Sequence, residues 1–149
     1  MIVYRISHKK FSNELKASGI ENRWNLAGQF VLYTSSNKAL ACLENLVHAT
    51  GEILGNNLYV CMEIYIPDTA GIYAITLKAM PENVSAEELR ARTRAIGNKW
   101  YTDIKDLLLQ VPSTIIPSEH NFIINTQHQD MKKVKILSTE PFLFDSRLK

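Results

Sequence analysis

The sequence is short of the features that usually announce a function. Only two of its 149 residues are cysteine. Cys42 and Cys61 fall in apolar surroundings with no partner at metal-ligand spacing, which points to two buried thiols in a reducing compartment rather than a disulfide. An excess of one charge is also missing. Seventeen Lys and Arg against fifteen Asp and Glu leave a formal net charge of +2, far from the basic balance of a dedicated nucleic-acid binder. No apolar run approaches the ~20 residues that cross a bilayer. No positively charged start leads into such a run, so neither a membrane span nor a secretory leader is expected. Repeats, low-complexity tracts and Pro/Gly/Ser-rich linkers are absent as well, and one domain over residues 1–149 is expected.

The familiar catalytic signatures are lacking too. There is no G-x-G-x-x-G after a strand and no G-x-x-x-x-G-K-[ST], so the standard phosphate-cradling loops are excluded. His8, His48, His120 and His128 are not spaced as metal ligands, and neither HExxH nor paired CxxC occurs. A G-x-S-x-G elbow is missing. What is present is an ordinary globular composition, 46% apolar and 21% charged. A chain of this size buries roughly two-thirds of its unfolded surface and needs no metal to hold its core.

The apolar pattern predicts an α+β fold. Ile2–Ile6 reads as a strand, Asn13–Ser18 as a helix stopped by Gly19, and Glu21–Gly28 as a structured loop. Phe30–Thr34 is a strand, after which Ser36 or Asn37 caps a helix carrying Leu40, Leu43 and Val47 on one stripe. Leu58 to Ile66 alternates cleanly, with a greasy face on even positions. Ile72–Thr76 follows as a further strand. Ser85-Ala86-Glu87-Glu88 is a capping box and predicts a helix to Ile96, ending at Gly97. A short turn or helix around Trp100 comes next. Leu107–Val111, Thr114–Ile116, Phe122–Ile124, Val134–Leu137 and Phe142–Phe144 then read as strands. With helices early and strands late, a mostly antiparallel sheet with flanking helices fits better than a doubly wound one.

Four residues draw attention as chemistry. Glu44 shares the stripe of Leu40 and Val47, where a carboxylate must be paired, lie beside a cavity, or reach solvent or His48. Arg23 adjoins Trp24 in the non-repetitive loop, a setting that suits phosphate binding by a planar guanidinium, or simple stacking on the indole. Tyr33 lies on a strand opposite in face to Leu32 and Thr34, where packing is the commoner use of a tyrosine. Ser113, after Pro112, is by itself a turn residue.

Taken in order, these residues resemble the RES domain, a family of bacterial toxins named for Arg, Glu and Ser. The similarity runs through Val3-Tyr4-Arg5, Asn22-Arg23-Trp24-Asn25 with Gly28, Val31-Leu32-Tyr33, and Ala39 to Glu44 with Leu46-Val47-His48. It continues through Ala95 to Trp100, Val111-Pro112-Ser113, Pro117, Asn121, Asn125, His128, Asp130, Glu140-Pro141-Phe142 and Phe144-Asp145. Two departures stand out, Thr126 in place of Pro and Asn98 where an acid is common. Neither touches the central residues.

The resemblance implies a fold like the ADP-ribosyltransferase toxins and an activity on NAD+, used as substrate without a metal. It also implies an Xre-like helix-turn-helix antitoxin as partner and a location in the bacterial cytoplasm. By position, Arg23, Tyr33 and Glu44 match the family's central trio, Ser113 its Ser, and Arg5 a second Arg. Arg5, Arg23 and Tyr33 would bind the dinucleotide. Glu44 would face the oxocarbenium-like ribose as the nicotinamide bond breaks, and Ser113 would orient a ribose or phosphate oxygen. The alternatives are a protein ADP-ribosyltransferase with the same site, or a non-catalytic partner- or RNA-binding module. The last would use Arg90, Arg92 and Arg94 with Lys132, Lys133 and Lys135, clusters that otherwise read as solvated faces.

Overall fold

The alternation from Leu58 to Ile66 does form a strand, Tyr59–Tyr65, and it lies second from one edge of a seven-stranded sheet. The computed structural model describes residues 1–48 and 57–148. In chain order the elements are β1 (Ile2–His8), β2 (Val31–Ser35), α1 (Lys38–His48), β3 (Tyr59–Tyr65), β4 (Ile72–Ala74), α2 (Ala86–Asp103), β5 (Leu108–Pro112), β6 (His120–Asn125) and β7 (Lys135–Phe142). The strand order is β4-β5-β6-β2-β1-β3-β7. Every neighbouring pair is antiparallel except β4 with β5. The expected α+β class with a mostly antiparallel sheet is therefore what the chain adopts.

Register divides the apolar residues between the two faces. Val3, Leu32, Met62, Ile64, Leu108, Phe122 and Ile124 form one cluster, and the pairings Val3 with Ile64, Leu32 with Ile124 and Ile124 with Leu108 place them on one side. The other side carries two clusters. Trp24, Val31, Leu109, Val111 and Ile123 pack with Trp100 of α2, whereas Ile6, Cys61 and Phe144 pack with Ala41 and Leu46 of α1. Both helices thus cover the same face of the sheet, side by side.

The sheet is not evenly stitched. β1 and β3 are matched at seven successive positions and β2 and β6 at five. β1 and β2 are matched only at Tyr4 with Ser35. The two strands part beyond that pair, leaving one half-sheet of β4, β5, β6 and β2 beside another of β1, β3 and β7.

Local signals explain most of the elements. Leu40 N–H donates to Asn37 Oδ1 at 2.8 Å, so Asn37 caps α1 as its sequence suggests. The Ser85–Glu88 capping box is formed in both directions at the start of α2. Other expectations fail for identifiable reasons. Residues 13–18 form no helix; Leu15 and Ala17 turn inward to the sheet while Lys16 and Ser18 face outward, an extended alternation rather than a helical one. α2 does not stop at Gly97 but runs through Trp100 to Asp103 and ends at Ile104, in the left-handed region with φ 52°. Thr114–Ile116 is part of the β5–β6 connection, not a strand. The strand expected at Val134–Leu137 begins at Lys135 and continues as β7 to Phe142, with Pro141 accommodated because β7 is at the sheet edge. On α1, Val47 is exposed, and the buried stripe is Leu40, Ala41 and Leu46.

These placements predict very different costs for two substitutions. Leu32 is fully buried, so Leu32→Ala should lose about 2–5 kcal/mol, whereas removing the exposed cap in Ser85→Ala should lose about 1 kcal/mol. Urea denaturation measures both, and equal losses would contradict the core described here.

Candidate active site

Between the two helix-covered clusters the same sheet face turns polar. Tyr33 and Ser35 on β2 lie level with Ile123 and Asn121 on β6, and Glu44 approaches from α1. Two cavities meet here. The first, about 380 Å³, is bordered by Tyr4, Arg5 and Ile6 of β1 and by Val31, Tyr33, Thr34 and Ser35 of β2, with Glu44 and Asn121. Its walls include residues of both strand parities, as a cleft opening where the sheet parts requires. The second, about 520 Å³, is bordered by Arg23, Trp24, Arg90 and Arg94, and again by Tyr33, Glu44 and Asn121. Asn22 and His48 also border both. Each volume lies within the usual range for a small-molecule site.

The loop that carries Arg23 is held by its neighbours. Asn25 is 1% exposed, and its Nδ2 donates to the carbonyls of Ile20 (2.9 Å) and Leu26 (3.1 Å). Gly19 and Gly28 adopt φ 72° and 82°, and the Gly28 N–H donates to the Gly19 carbonyl at 2.9 Å, a closure that favours glycine at both ends. Helix α2 grips the loop from the other side. Thr93 Oγ1 donates to the Arg23 carbonyl at 2.8 Å, and Arg94 Nε to the Asn22 carbonyl at 3.2 Å. At Gly97 the approach is closer still: a Cβ there would lie 1.7 Å from the Trp24 carbonyl oxygen. That contact is why glycine sits inside the helix rather than at its end. Nothing in the local sequence signals it.

Tyr33 is tied into this loop. Its hydroxyl donates to Asn25 Oδ1 at 2.9 Å and accepts from the Trp24 N–H at 3.1 Å. Burial pushes the phenol up to about 12, with the Trp24 N–H and the Arg23 and Arg94 charges pulling part of the way back. The side chain is therefore a neutral ring with an oriented hydroxyl at any physiological pH.

Glu44 is anchored through one oxygen. Ser113 Oγ donates to Glu44 Oε1 at 2.9 Å and Asn121 Nδ2 to the same oxygen at 2.5 Å. Glu44 is half-buried, as a boundary position would be, and its carboxylate is bound by Ser113 and Asn121 rather than by His48. Ser113 is 2% exposed, and its hydroxyl also accepts from the Ile115 and Ile116 N–H groups at 3.1 and 3.2 Å. The serine thus meets the carboxylate and its own turn, and does not border either cavity.

The two guanidiniums differ from these fixed groups. Arg5 borders the first cavity and Arg23 the second, and neither has an ion-pair or hydrogen-bond partner for its side chain among the described residues. Burial lowers the Arg5 pKa from its ordinary value, but a guanidinium stays protonated. Partly buried cations without carboxylates are completed well by an anionic ligand. Arg94, by contrast, is paired with Glu21 at 2.9 Å.

Of the residues singled out in the sequence, Tyr33 and Glu44 meet at the junction of the cavities, Arg5 and Arg23 flank them, and Ser113 stands behind Glu44. Sequence reasoning gave no role to Asn121. Its signal was an amide two residues before Ile123, on the same face of the strand. Among the described residues, no group of three or more His, Cys, Asp or Glu could hold a metal ion, and no helix is long and apolar enough to cross a membrane.

Comparison with known proteins adds the following. The family model described as RES domain matches residues 2–145. A protein named Prs ADP-ribosylating toxin, from Sphingobium sp. (strain YBL2), is 34% identical over 142 residues, covering 92% of this chain and 88% of its own. A protein named Toxin Res, from Yersinia enterocolitica, is 32% identical over the whole of both chains. A chain in the crystal structure of the M. tuberculosis MbcT-MbcA toxin-antitoxin complex superposes with a TM-score of 0.74, covering 95% of this chain and 84% of that one. At 14% identity this last likeness is one of fold.

Two predictions follow from the packing of the loop. Gly97→Ala forces the Trp24 carbonyl away; it should lose about 1–3 kcal/mol and shift the amide NMR signals of residues 22–25, and unchanged signals would refute the contact. For Tyr33, folding raises the phenol pKa. Its stabilising contribution is therefore whole below pH 10 and is lost as pH climbs through about 12. Tyr33→Phe should flatten that alkaline decline in thermal melts.

Proposed function

This chain belongs to the RES domain family, and from that premise we propose that it is a toxin of a toxin–antitoxin pair that cleaves the nicotinamide–ribose bond of NAD+. The observation that carries this reading is the anchored Tyr33 and Glu44, both bordering two cavities, with a guanidinium on each side that has no partner among the described residues. A dinucleotide presents a matching pattern, with a doubly anionic pyrophosphate joining two nucleosides.

The residues suit the reaction as follows. Arg23 and Arg5 hold pyrophosphate oxygens by charge-assisted hydrogen bonds. Tyr33 borders the nicotinamide as a neutral ring. The oxygen of Glu44 that Ser113 and Asn121 leave free faces the ribose, binding its hydroxyls and stabilising the cation that grows at C1′ as the C–N bond breaks. The bonding electrons go to the pyridine nitrogen, so nicotinamide leaves neutral and needs no general acid. Ser113 acts through Glu44 and does not touch substrate. Water then attacks C1′ and releases a proton, giving ADP-ribose, or phosphate attacks and gives the ribosyl phosphate.

A second reading has one observation in its favour. The Sphingobium relative is named as an ADP-ribosylating toxin, and the same site would then deliver ADP-ribose to a protein side chain. For the partner, an Xre-like helix-turn-helix antitoxin fits the family, and the structural relative is a toxin seen with its antitoxin. The chain's place is the cytoplasm, where NAD+ and such a partner meet. The non-catalytic alternative is weakened locally, because Arg94 is paired with Glu21 and Lys133 with Asp130, which uses up charge that a nucleic-acid footprint would need.

Purified protein incubated with NAD+ separates these readings. Rapid nicotinamide release without any other protein supports hydrolysis or phosphorolysis, and the product in the presence and absence of phosphate distinguishes the two. NAD+ loss only on adding cell extract, with label transferred to a protein, supports the transferase. Glu44→Ala and Arg23→Ala should each slow NAD+ loss by about 100-fold or more and relieve growth inhibition while the protein stays folded. Full toxicity in either variant would sink the site assignment.

A further inference from the structure

Asn121 is a residue of the cleft for which the family resemblance supplies no role, and both ends of its amide are hydrogen-bonded. It lies on β6, which pairs with β2 on the side away from the parting, and is level with Ser35 on β2. Its amide is used at both ends. The Oδ1 atom accepts from Ser35 Oγ at 2.7 Å, and Nδ2 donates to Glu44 Oε1 at 2.5 Å. A carboxylate oxygen only accepts, so the N–H side of the amide is the end presented to Glu44, and the Ser35 hydroxyl, able to donate or accept, holds the carbonyl end. Ser113 adds a second donor to the same carboxylate oxygen. Glu44 Oε2 has no partner among the described residues, and Glu44 and Asn121 both border the two cavities.

We propose that Asn121 is a positioning residue that orients Glu44 as a carboxylate with Oε1 anchored and Oε2 aimed at the ligand. The proposal rests on the NAD+-cleaving reading above and deepens it. The physical argument is one of donors and acceptors. Two donors on one oxygen fix the plane of the group, and a fixed plane leaves a single oxygen to face the ribose. A carboxylate free to rotate would divide its time between orientations, and misplacement on the scale of an ångström costs about 100-fold in rate. Ser35 belongs to the same device, because its hydroxyl holds the carbonyl end of the amide whose other end meets Glu44.

The test replaces the donor by an acceptor of nearly the same shape. In Asn121→Asp two carboxylates face each other at hydrogen-bonding distance when both are ionised near pH 8, and their repulsion pushes Glu44 out of place. As pH falls the pair binds one proton, which restores a donor toward Glu44. NAD+ consumption by this variant, measured as kcat and KM against pH, should be about 100-fold below wild type near pH 8 and recover at least about tenfold relative to wild type near pH 6. Asn121→Ala should lose kcat by a similar factor with no recovery in acid. Ser35→Ala, which leaves Glu44 and Asn121 untouched, should lose kcat partially and keeps the test open if Asn121→Ala does not fold. A constant activity ratio between Asn121→Asp and wild type across this range, or full kcat in Asn121→Ala, overturns the positioning role while leaving the functional reading intact. Wild-type protein that leaves NAD+ untouched overturns the functional reading itself, and the role of Asn121 with it.

Discussion

β1 and β2 meet at one registered pair, Tyr4 with Ser35, and then diverge. The remaining features of the cleft depend on that parting. Two fully laddered strands would place backbone hydrogen bonds where the first cavity lies. Instead, the edges of the two strands face a space, and Arg5 reaches it although its strand parity belongs to the opposite face. The helices complete the arrangement. α1 and α2 cover separate apolar clusters on one face of the sheet, and the polar strip left between them is where Tyr33, Glu44 and Asn121 converge.

Within the cleft, rigidity and incompleteness are distributed between different groups. Tyr33 and Glu44 each have more than one hydrogen bond, so their orientation is settled by the protein before any ligand arrives. The Arg5 and Arg23 side chains have no such bonds among the described residues. Preorganised groups are most effective where charge develops during reaction, because no reorganisation is needed at that moment. Cations without a protein partner serve better for capture, since an anion supplies the interaction that the fold withholds.

How much of this the sequence discloses depends on the range of the interaction that decides each element. The Asn37 cap, the Ser85–Glu88 box and the alternation of β3 are decided within a few residues, and all are present. The stretch 13–18 has residues fit for a helix, yet the sheet face offers Leu15 and Ala17 a burial that only an extended chain can use. Gly97 looks like a helix stop because the carbonyl it admits comes from residue 24, seventy-three positions away by number. The central trio was visible through the order of its flanking words, not through any local pattern. Asn121 was visible in the same words, but the two bonds that give it meaning join three separate elements.

The contact at Gly97 also governs what change the chain can absorb. A side chain pressed against another side chain can be relieved by shrinking its neighbour, so such positions drift in compensating pairs. Here the neighbour is a main-chain carbonyl, which every residue type at position 24 carries alike. No second substitution at that site makes room. Across descendants of this sequence, position 97 is therefore held by geometry independently of whatever side chain position 24 carries, and the arginine loop inherits that fixity.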